Sequence, residues 1–184
     1  MAATDTDEQG VIIRMHRSRV ILLCGITGSG KTVLAKALAD KGFTRLSVDE
    51  EVFRRHGRYG IDYPHDTYFE KERPVVDDIR NQLAAEIAAG HDVVLDHGLW
   101  LRPDRDAWRE FAQSLGAEAL LVYLPVDKDE LLRRLDERNQ REDANALEVT
   151  PEALDDFFAR FDPPEPDEHA VIYTGGDPAA TILE

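Results

Sequence analysis

A glycine-rich octapeptide near the N-terminus constrains the fold of this chain more than any other segment. Residues 25–32, GITGSGKT, fill every fixed position of the pattern G-x-x-x-x-G-K-[ST]. An apolar run from Val20 to Cys24 precedes the octapeptide, and apolar residues with helical spacing follow it from Val33 to Ala39. This order predicts a strand, a phosphate-binding loop and a helix. We therefore expect the chain to bind a nucleoside triphosphate.

The loop supplies both the backbone and the side chains that a triphosphate needs. Backbone N–H groups of such a loop point at phosphate oxygens, a lysine adds positive charge, and a hydroxyl holds Mg²⁺. The expected cofactors are therefore ATP or GTP together with Mg²⁺. The predicted nucleotide-binding residues are Gly25, Thr27, Gly28, Ser29, Gly30, Lys31 and Thr32.

Strand and helix patterns alternate along most of the remaining chain. Strands are predicted at 19–24, 43–48, 92–95, 119–124 and 171–173, with a helix in every gap between them and a short one after the last. We expect Pro74 in the first turn of a long helix, and an extended segment over 162–168. The alternation predicts an α/β fold: a doubly wound, mainly parallel five-stranded sheet with helices on both faces. Its ligand should lie outside the carboxyl ends of the strands.

Length and composition limit the number of domains, the kinds of partner and the cellular location that we expect. The 184 residues fit one domain, 1–184, with a small lid at about 134–150 where a polar stretch interrupts the helical pattern. A net charge of −15 makes nucleic acid an unlikely partner, because phosphate backbones are bound by clustered cations. The single cysteine, and the absence of a signal-peptide pattern or an apolar span, favour a soluble cytoplasmic protein without membrane contact. We expect a monomer or a homodimer, and the sequence does not decide between them.

Two aspartates at predicted strand ends are candidates for the chemistry. Asp96 ends the strand VVLD, where a carboxylate and Thr32 would hold Mg²⁺ between them, although an aspartate there is also a common turn residue. Asp49 follows the second strand and is placed to take a proton from a hydroxyl acceptor. The alternative for Asp49 is a helix N-cap.

Three arginines on one predicted helical face are candidates for the lid. Arg134, Arg138 and Arg141 are spaced four and three residues apart, so their guanidinium groups could neutralise the charge that develops on a transferred phosphoryl group. Acidic neighbours keep a second interpretation open, in which the same stripe is an ion-paired solvated surface.

Together these motifs resemble the small P-loop kinases. GITGSGKT, SVDEEVF after the second strand, VVLDHGLW after the third and LLRRLDERN after the fourth are similar to the group that contains zeta toxins, chloramphenicol phosphotransferase and polynucleotide kinase, described as AAA-type predicted kinases. The resemblance covers residues of about 18–175. It implies a nucleoside monophosphate kinase-like core, a general base at Asp49, and phosphate-facing arginines at Arg134 and Arg138, one of which stacks on the base.

The acceptor pocket of such a fold is built after the second and third strands. In this chain those segments supply aromatic and charged side chains, which suit a hydroxylated, partly planar or cationic molecule such as a nucleoside or an aminosugar. No histidine and acid have the spacing of a zinc site. The predicted substrate residues are Asp49, His97, Trp100, Arg102, Tyr59 and Tyr63, with Tyr68 and Glu70 close by in sequence.

Three functions follow from this pocket. The first is phosphorylation of a small-molecule hydroxyl, by which an antibiotic could be inactivated. The second is phosphorylation of a polynucleotide or nucleoside 5′-hydroxyl, and the third is a nucleotide-binding switch without catalysis. The base is Asp49 or His97, and the acceptor is left open.

Overall fold

A parallel sheet forms the centre of the molecule. The computed structural model describes residues 5–6, 12–13, 17–59, 61–139 and 151–183. A short antiparallel pair, β1 (Asp5–Thr6) and β2 (Ile12–Ile13), comes first. The main strands are β3 (Arg19–Cys24), β4 (Thr44–Ser47), β5 (Val93–Asp96), β6 (Glu118–Tyr123) and β7 (Val171–Ile172). Their order is β4-β5-β3-β6-β7 and every pairing is parallel, which confirms the predicted α/β sheet.

Helices cover both faces of this sheet. They are α1 (Lys31–Ala39), α2 (Val48–His56), α3 (Tyr68–Ala88), α4 (Arg102–Ser114), α5 (Lys128–Asn139), α6 (Pro151–Arg160) and α7 (Pro178–Ile182). Residues 20–24 of β3 are buried and alternate between two cores. Val20 and Leu22 pack with α3 and α4, whereas Ile21 and Leu23 pack with α1 and α7. Burial on both faces explains why β3 is a continuous apolar run. Within the described residues, none of the helices combines the length and hydropathy needed to cross a membrane.

The start of α2 differs from the sequence prediction. The helix begins at Val48 rather than Glu50, and its N-cap is Ser47, whose Oγ accepts a hydrogen bond from the Glu50 backbone N–H at 3.4 Å. Asp49 therefore lies inside the first turn, and its alternative interpretation as the N-cap is wrong. The Asp49 carboxylate does not cap the helix, but the helix dipole still stabilises its negative charge because it lies near the N-terminus.

Two other local predictions were wrong. Pro74 lies inside α3 rather than in its first turn, and the helix continues through it because Val75, Ile79 and Leu83 form a buried stripe. The segment 162–168 is not uniformly extended, since Pro166–Glu168 form a 3₁₀ turn. In α3, burial of the side-chain stripe outweighs the preference of proline for the first turn. In the segment 162–168, a long-range ion pair of Glu168 outweighs the preference of prolines for an extended chain.

A buried ion pair holds this turn against α4. The side chains of Arg105 and Glu168 are both fully buried, and Arg105 donates two hydrogen bonds to the Glu168 carboxylate, at 2.6 and 2.8 Å. The same guanidinium also donates to three backbone carbonyls, those of Leu99, Trp100 and Asp162, at 3.3, 3.2 and 2.8 Å. Arg105 thus fixes the loop after β5, which carries Trp100.

Candidate functional site

The glycine loop closes at the carboxyl end of β3, as its sequence predicts. Gly28 and Gly30 have φ values of 85° and 103°, in the left-handed region that side chains disfavour. The Ser29 N–H donates to the Ile26 carbonyl at 3.1 Å and tightens the turn. A Cβ atom at Gly25 would approach Ser29 Oγ to 2.6 Å, so the loop can pack closely only with glycine there. Its conformation therefore depends on the glycines of the motif.

Lys31 begins α1 and reaches back across the loop. Its ammonium group donates to the carbonyls of Gly25 and Ile26 at 2.8 and 3.0 Å. Lys31 and Thr27 also line the cavity described below. The ammonium group therefore lies between the loop and that cavity, where a transferred phosphoryl group would pass.

Thr32 and Asp96 meet at the end of β5. Thr32 Oγ1 donates to Asp96 Oδ1 at 3.4 Å, and the Asp96 side chain is only 5 % exposed. A hydroxyl and a carboxylate oxygen are ligands that Mg²⁺ accepts, so the two residues fit the predicted metal site.

An arginine that sequence reasoning missed holds the other oxygen of Asp96. Arg45 of β4 donates to Asp96 Oδ2 at 3.0 and 2.5 Å, and it pairs with both oxygens of Glu50 at 2.8 Å. These hydrogen bonds lower the pKa of Glu50. Arg45 therefore orients Asp96 so that its Oδ1 faces Thr32. A basic residue within the short strand TRLS was the available signal for this contact.

The lid arginines are placed only in part. Arg134 donates to the Ser29 carbonyl at 3.2 Å and to Glu130 at 2.6 Å, so its guanidinium lies over the glycine loop. Arg138 falls within α5, but its side chain lies outside the described part of the structure. Arg141 and the rest of the lid, residues 140–150, are also outside it. Arg134 shows both anticipated features, a contact with the loop and an acidic partner.

A cavity of about 550 Å³ opens beside the loop. It contains Lys31 and five of the six predicted substrate residues; the exception is Arg102. Arg102 is instead paired with Asp106, Glu165 and Asp167, so the structure does not bring it to the cavity. Apart from Thr27 and Lys31 of the loop, the lining, which we call the acceptor side because it contains the predicted substrate residues, consists of Asp49, Val52, Phe53, Gly57, Tyr59, Tyr63, Tyr68, Phe69, Glu72, His97, Gly98, Trp100, Leu101, Asp104, Phe157 and Arg160.

Asp49 belongs to a polar group on one side of this cavity. The Tyr68 hydroxyl donates to Asp49 Oδ1 at 2.9 Å. Ligand atoms of Asp49, Glu72 and His97 all lie within 4.8 Å of one another. These three come from α2, α3 and the loop after β5, so no short sequence spacing could show them as a group. Three such groups at this distance could hold a cation between them.

Burial raises the pKa values of two side chains in this polar group, Glu72 and its neighbour Tyr68. The pKa of the Glu72 carboxyl is raised chiefly by burial, with Asp49 adding to the shift, while His97 and a hydrogen bond from Tyr68 oppose it. Burial and the nearby Asp49 charge likewise raise the pKa of Tyr68, so its hydroxyl stays protonated and donates. Sequence reasoning missed Glu72, although it lies one helical turn after Tyr68 and hence on the same face.

Aromatic side chains form the walls of the cavity. Tyr59 meets Tyr63 and Tyr68 edge to face, at ring-centroid distances of 6.1 and 5.5 Å. In a second aromatic cluster Trp100 meets Phe157 at 5.2 Å, and the Arg160 guanidinium lies 5.8 Å from the Trp100 ring. Phe157 and Arg160 of α6 were not predicted, because α6 follows the lid in sequence and its approach to Trp100 depends on the tertiary fold.

A family comparison agrees with this architecture. The model of an AAA domain family matches residues 20–164, which include the glycine loop, Asp49, Asp96 and Arg134. The chain belongs to this AAA domain family. No curated protein sequence matches the chain.

Solved structures share the fold of this AAA domain at low sequence identity. A protein from Chloroflexus aurantiacus j-10-fl has a TM-score of 0.65 and 18% identity, over 88% of this chain and 86% of that one. A sugar kinase from Janibacter sp. HTCC2649 has a TM-score of 0.58 and 21% identity, over 85% of each chain. A gluconokinase from Sinorhizobium meliloti 1021 has a TM-score of 0.56 and 21% identity, over 92% and 88%. The predicted resemblance to small P-loop kinases is confirmed for family and fold.

Proposed function

We propose that this AAA domain transfers the γ-phosphoryl group of ATP or GTP to a hydroxyl of a small molecule. One observation carries the proposal: Lys31 of the nucleotide loop and Asp49, the candidate base, line the same cavity. A nucleotide switch would not need a carboxylate there. The names of two structural neighbours, a sugar kinase and a gluconokinase, also support a hydroxyl acceptor.

The proposed reaction is a direct displacement at the γ-phosphorus. Asp49 takes the proton of the acceptor hydroxyl as its oxygen bonds to phosphorus, and the bond to the β-phosphate oxygen breaks to release a nucleoside diphosphate. Lys31 and Arg134 stabilise the charge on the transferred group. Thr32 and Asp96 would hold Mg²⁺, which neutralises phosphate charge when bound. We assign the lid arginines Arg138 and Arg141 the same role as Arg134, within a single domain with a lid at about 134–150.

The cavity favours a small acceptor over a nucleic acid. Its acceptor side carries the carboxylates of Asp49, Glu72 and Asp104, which would repel a phosphate backbone. Its aromatic walls suit a nucleoside or an aminosugar, and phosphorylation of such a compound could inactivate an antibiotic. We place the protein in the cytoplasm, as a monomer or homodimer, where Cys24 stays a buried thiol.

Asp49→Asn tests this function directly. The substitution keeps the size of the side chain and an acceptor for the Tyr68 hydroxyl but removes its basicity. Transfer from labelled ATP or GTP to a panel of hydroxyl compounds should fall by about 10²–10⁴-fold, the range of general base catalysis. Nucleotide affinity, measured by calorimetry, should stay unchanged.

Glu51→Gln is the matched control, because Glu51 lies on the same helix but pairs with Arg54 and Arg55 away from the cavity. It should keep full transfer. Full acceptor phosphorylation by the Asp49→Asn protein would instead move the role of base to His97. Wild-type turnover that transfers phosphate only to water, with every compound, would contradict a kinase.

A further inference from the structure

We propose that the acceptor is a cationic polyol, a hydroxyl compound with a protonated amine. Its ammonium group binds Glu72 while the reacting hydroxyl faces Asp49. The inference rests on the proposed function, since it concerns the acceptor side of the same cavity. It assigns Glu72 the role of specificity determinant.

The charges around the cavity select against an anionic acceptor. Asp49, Glu72 and Asp104 face the acceptor side, whereas Lys31 lies at the nucleotide loop. Arg160, the other cationic lining residue, is already paired with Asp156 at 2.6 Å. A sugar acid would bring a further carboxylate into this field, and an ammonium group would reduce the repulsion instead.

The groups beside Asp49 suit the three N–H donors of an ammonium ion. The Nδ1 atom of His97 is buried and has no hydrogen-bond partner among the described residues. Burial disfavours the charged form of Glu72, so a cation bound there would offset the cost of its ionisation. An ammonium group has three N–H donors, and the Glu72 carboxylate and the neutral form of the His97 ring lie close enough to accept them while Asp49 is left to the hydroxyl.

The aromatic walls favour the same charge. Ring faces attract cations, and two cations already lie over them: Lys71 Nζ is 5.4 Å from the Tyr63 ring, and Arg160 is 5.8 Å from Trp100. Tyr68 joins these walls to the carboxylates through its hydrogen bond to Asp49. A polyol with an amine near its reacting hydroxyl meets both surfaces at once.

The test compares hydroxyl compounds of similar size and different charge. Glucosamine, glucose and gluconate, and the smaller pair ethanolamine and ethylene glycol, are each titrated by calorimetry with Mg²⁺ and a non-hydrolysable ATP analogue. Phosphate transfer from ATP is measured in parallel. The wild type should prefer the ammonium member of at least one pair by about tenfold or more, as expected for a charge-assisted hydrogen bond.

Glu72→Gln should remove that preference while neutral acceptors are bound as before. Glu70→Gln is the control, because Glu70 is exposed on the same helix and does not line the cavity; it should keep the preference. The wild-type comparison stands even if the Glu72→Gln protein does not fold.

Two failures can be told apart. The inference is overturned if no pair favours its ammonium member, including the case in which none binds, or if gluconate binds as well as glucosamine. Transfer to glucose or gluconate under those conditions would leave the kinase function standing. Ammonium-selective binding that Glu72→Gln abolishes, with phosphate passing only to water, would show an ammonium site at Glu72 but would contradict both the kinase and the assignment of the ligand as its acceptor.

Discussion

The two sides of the cavity are built in different ways. The phosphate side comes from one contiguous octapeptide, with Asp96 and Arg134 added, and most of its expected contacts are made by backbone N–H groups. The acceptor side is made of side chains from α2, α3, α4 and α6 and from the segments that follow α2 and β5. Backbone geometry can serve any triphosphate, whereas the side chains decide which hydroxyl compound fits. Variants on the first side should therefore affect every acceptor equally, and variants on the second should depend on the acceptor.

Lys31→Ala should have the largest effect. Removal of this cation from the developing phosphoryl charge should lower kcat by about 10²-fold or more with every acceptor. Lys36→Ala, on the exposed face of the same helix, should leave the rate unchanged. Steady-state kinetics with two unrelated acceptors measures this effect. A rate loss that differs between the acceptors would contradict the claim that the phosphate side serves every acceptor equally.

Asp96→Asn should act through the metal. We expect a loss of about 10–100-fold at low Mg²⁺, the size typical of weakened metal-site partners, and partial recovery at high Mg²⁺ or with Mn²⁺. Arg45→Met should shift the Mg²⁺ dependence in the same direction by a smaller factor, because Arg45 acts on the metal site only through Asp96. A metal titration of the transfer rate measures both. If Asp96→Asn responds to no metal concentration, the assignment of Thr32 and Asp96 fails.

Arg134→Ala should have a smaller effect on the phosphate side. Loss of one guanidinium at the glycine loop should lower kcat by about tenfold, with little change in the KM for nucleotide. Arg133→Ala is the matched control, since Arg133 pairs with Glu130 and Glu137 on the exposed side of α5. A change confined to KM would instead indicate ground-state nucleotide binding.

The smallest expected effect concerns stability on the acceptor side. Because folding raises the pKa of Glu72, its protonated form favours the folded state, and this contribution is lost as the pH rises through the folded-state pKa. At pH values above the folded-state pKa of Glu72, the Glu72→Gln substitution should therefore raise Tm by about 2–4 °C. The gain should vanish at acid pH, below the unfolded-state pKa. Thermal unfolding of both proteins across the pH range would show it, and an equal gain at every pH would contradict the assignment.

The sequence predicted the phosphate side of the cavity better than the acceptor side, because the phosphate side is built from residues that are close together in sequence. The glycine loop is local in sequence, and Asp49 and Asp96 follow parallel strands whose carboxyl ends share an edge, so all three were predicted. Glu72 was missed because its place depends on the rotation of α3 about its axis. Arg102 was misplaced because its acidic partners, Glu165 and Asp167, lie about 60 residues away in sequence. Contacts set by tertiary packing leave no local pattern to read.

The buried pair of Arg105 and Glu168 shows that the folded domain extends beyond the residues that match the family. The family match ends at residue 164, four positions before the carboxylate that neutralises Arg105. A chain trimmed to the match would lack the carboxylate that pairs with Arg105, and removal of one partner of a buried pair costs about 3–5 kcal/mol. It would also lose β7 from the edge of the sheet. Homology alone would therefore set the boundary of this domain too early, and expression designs should retain the segment through Ile172 and beyond.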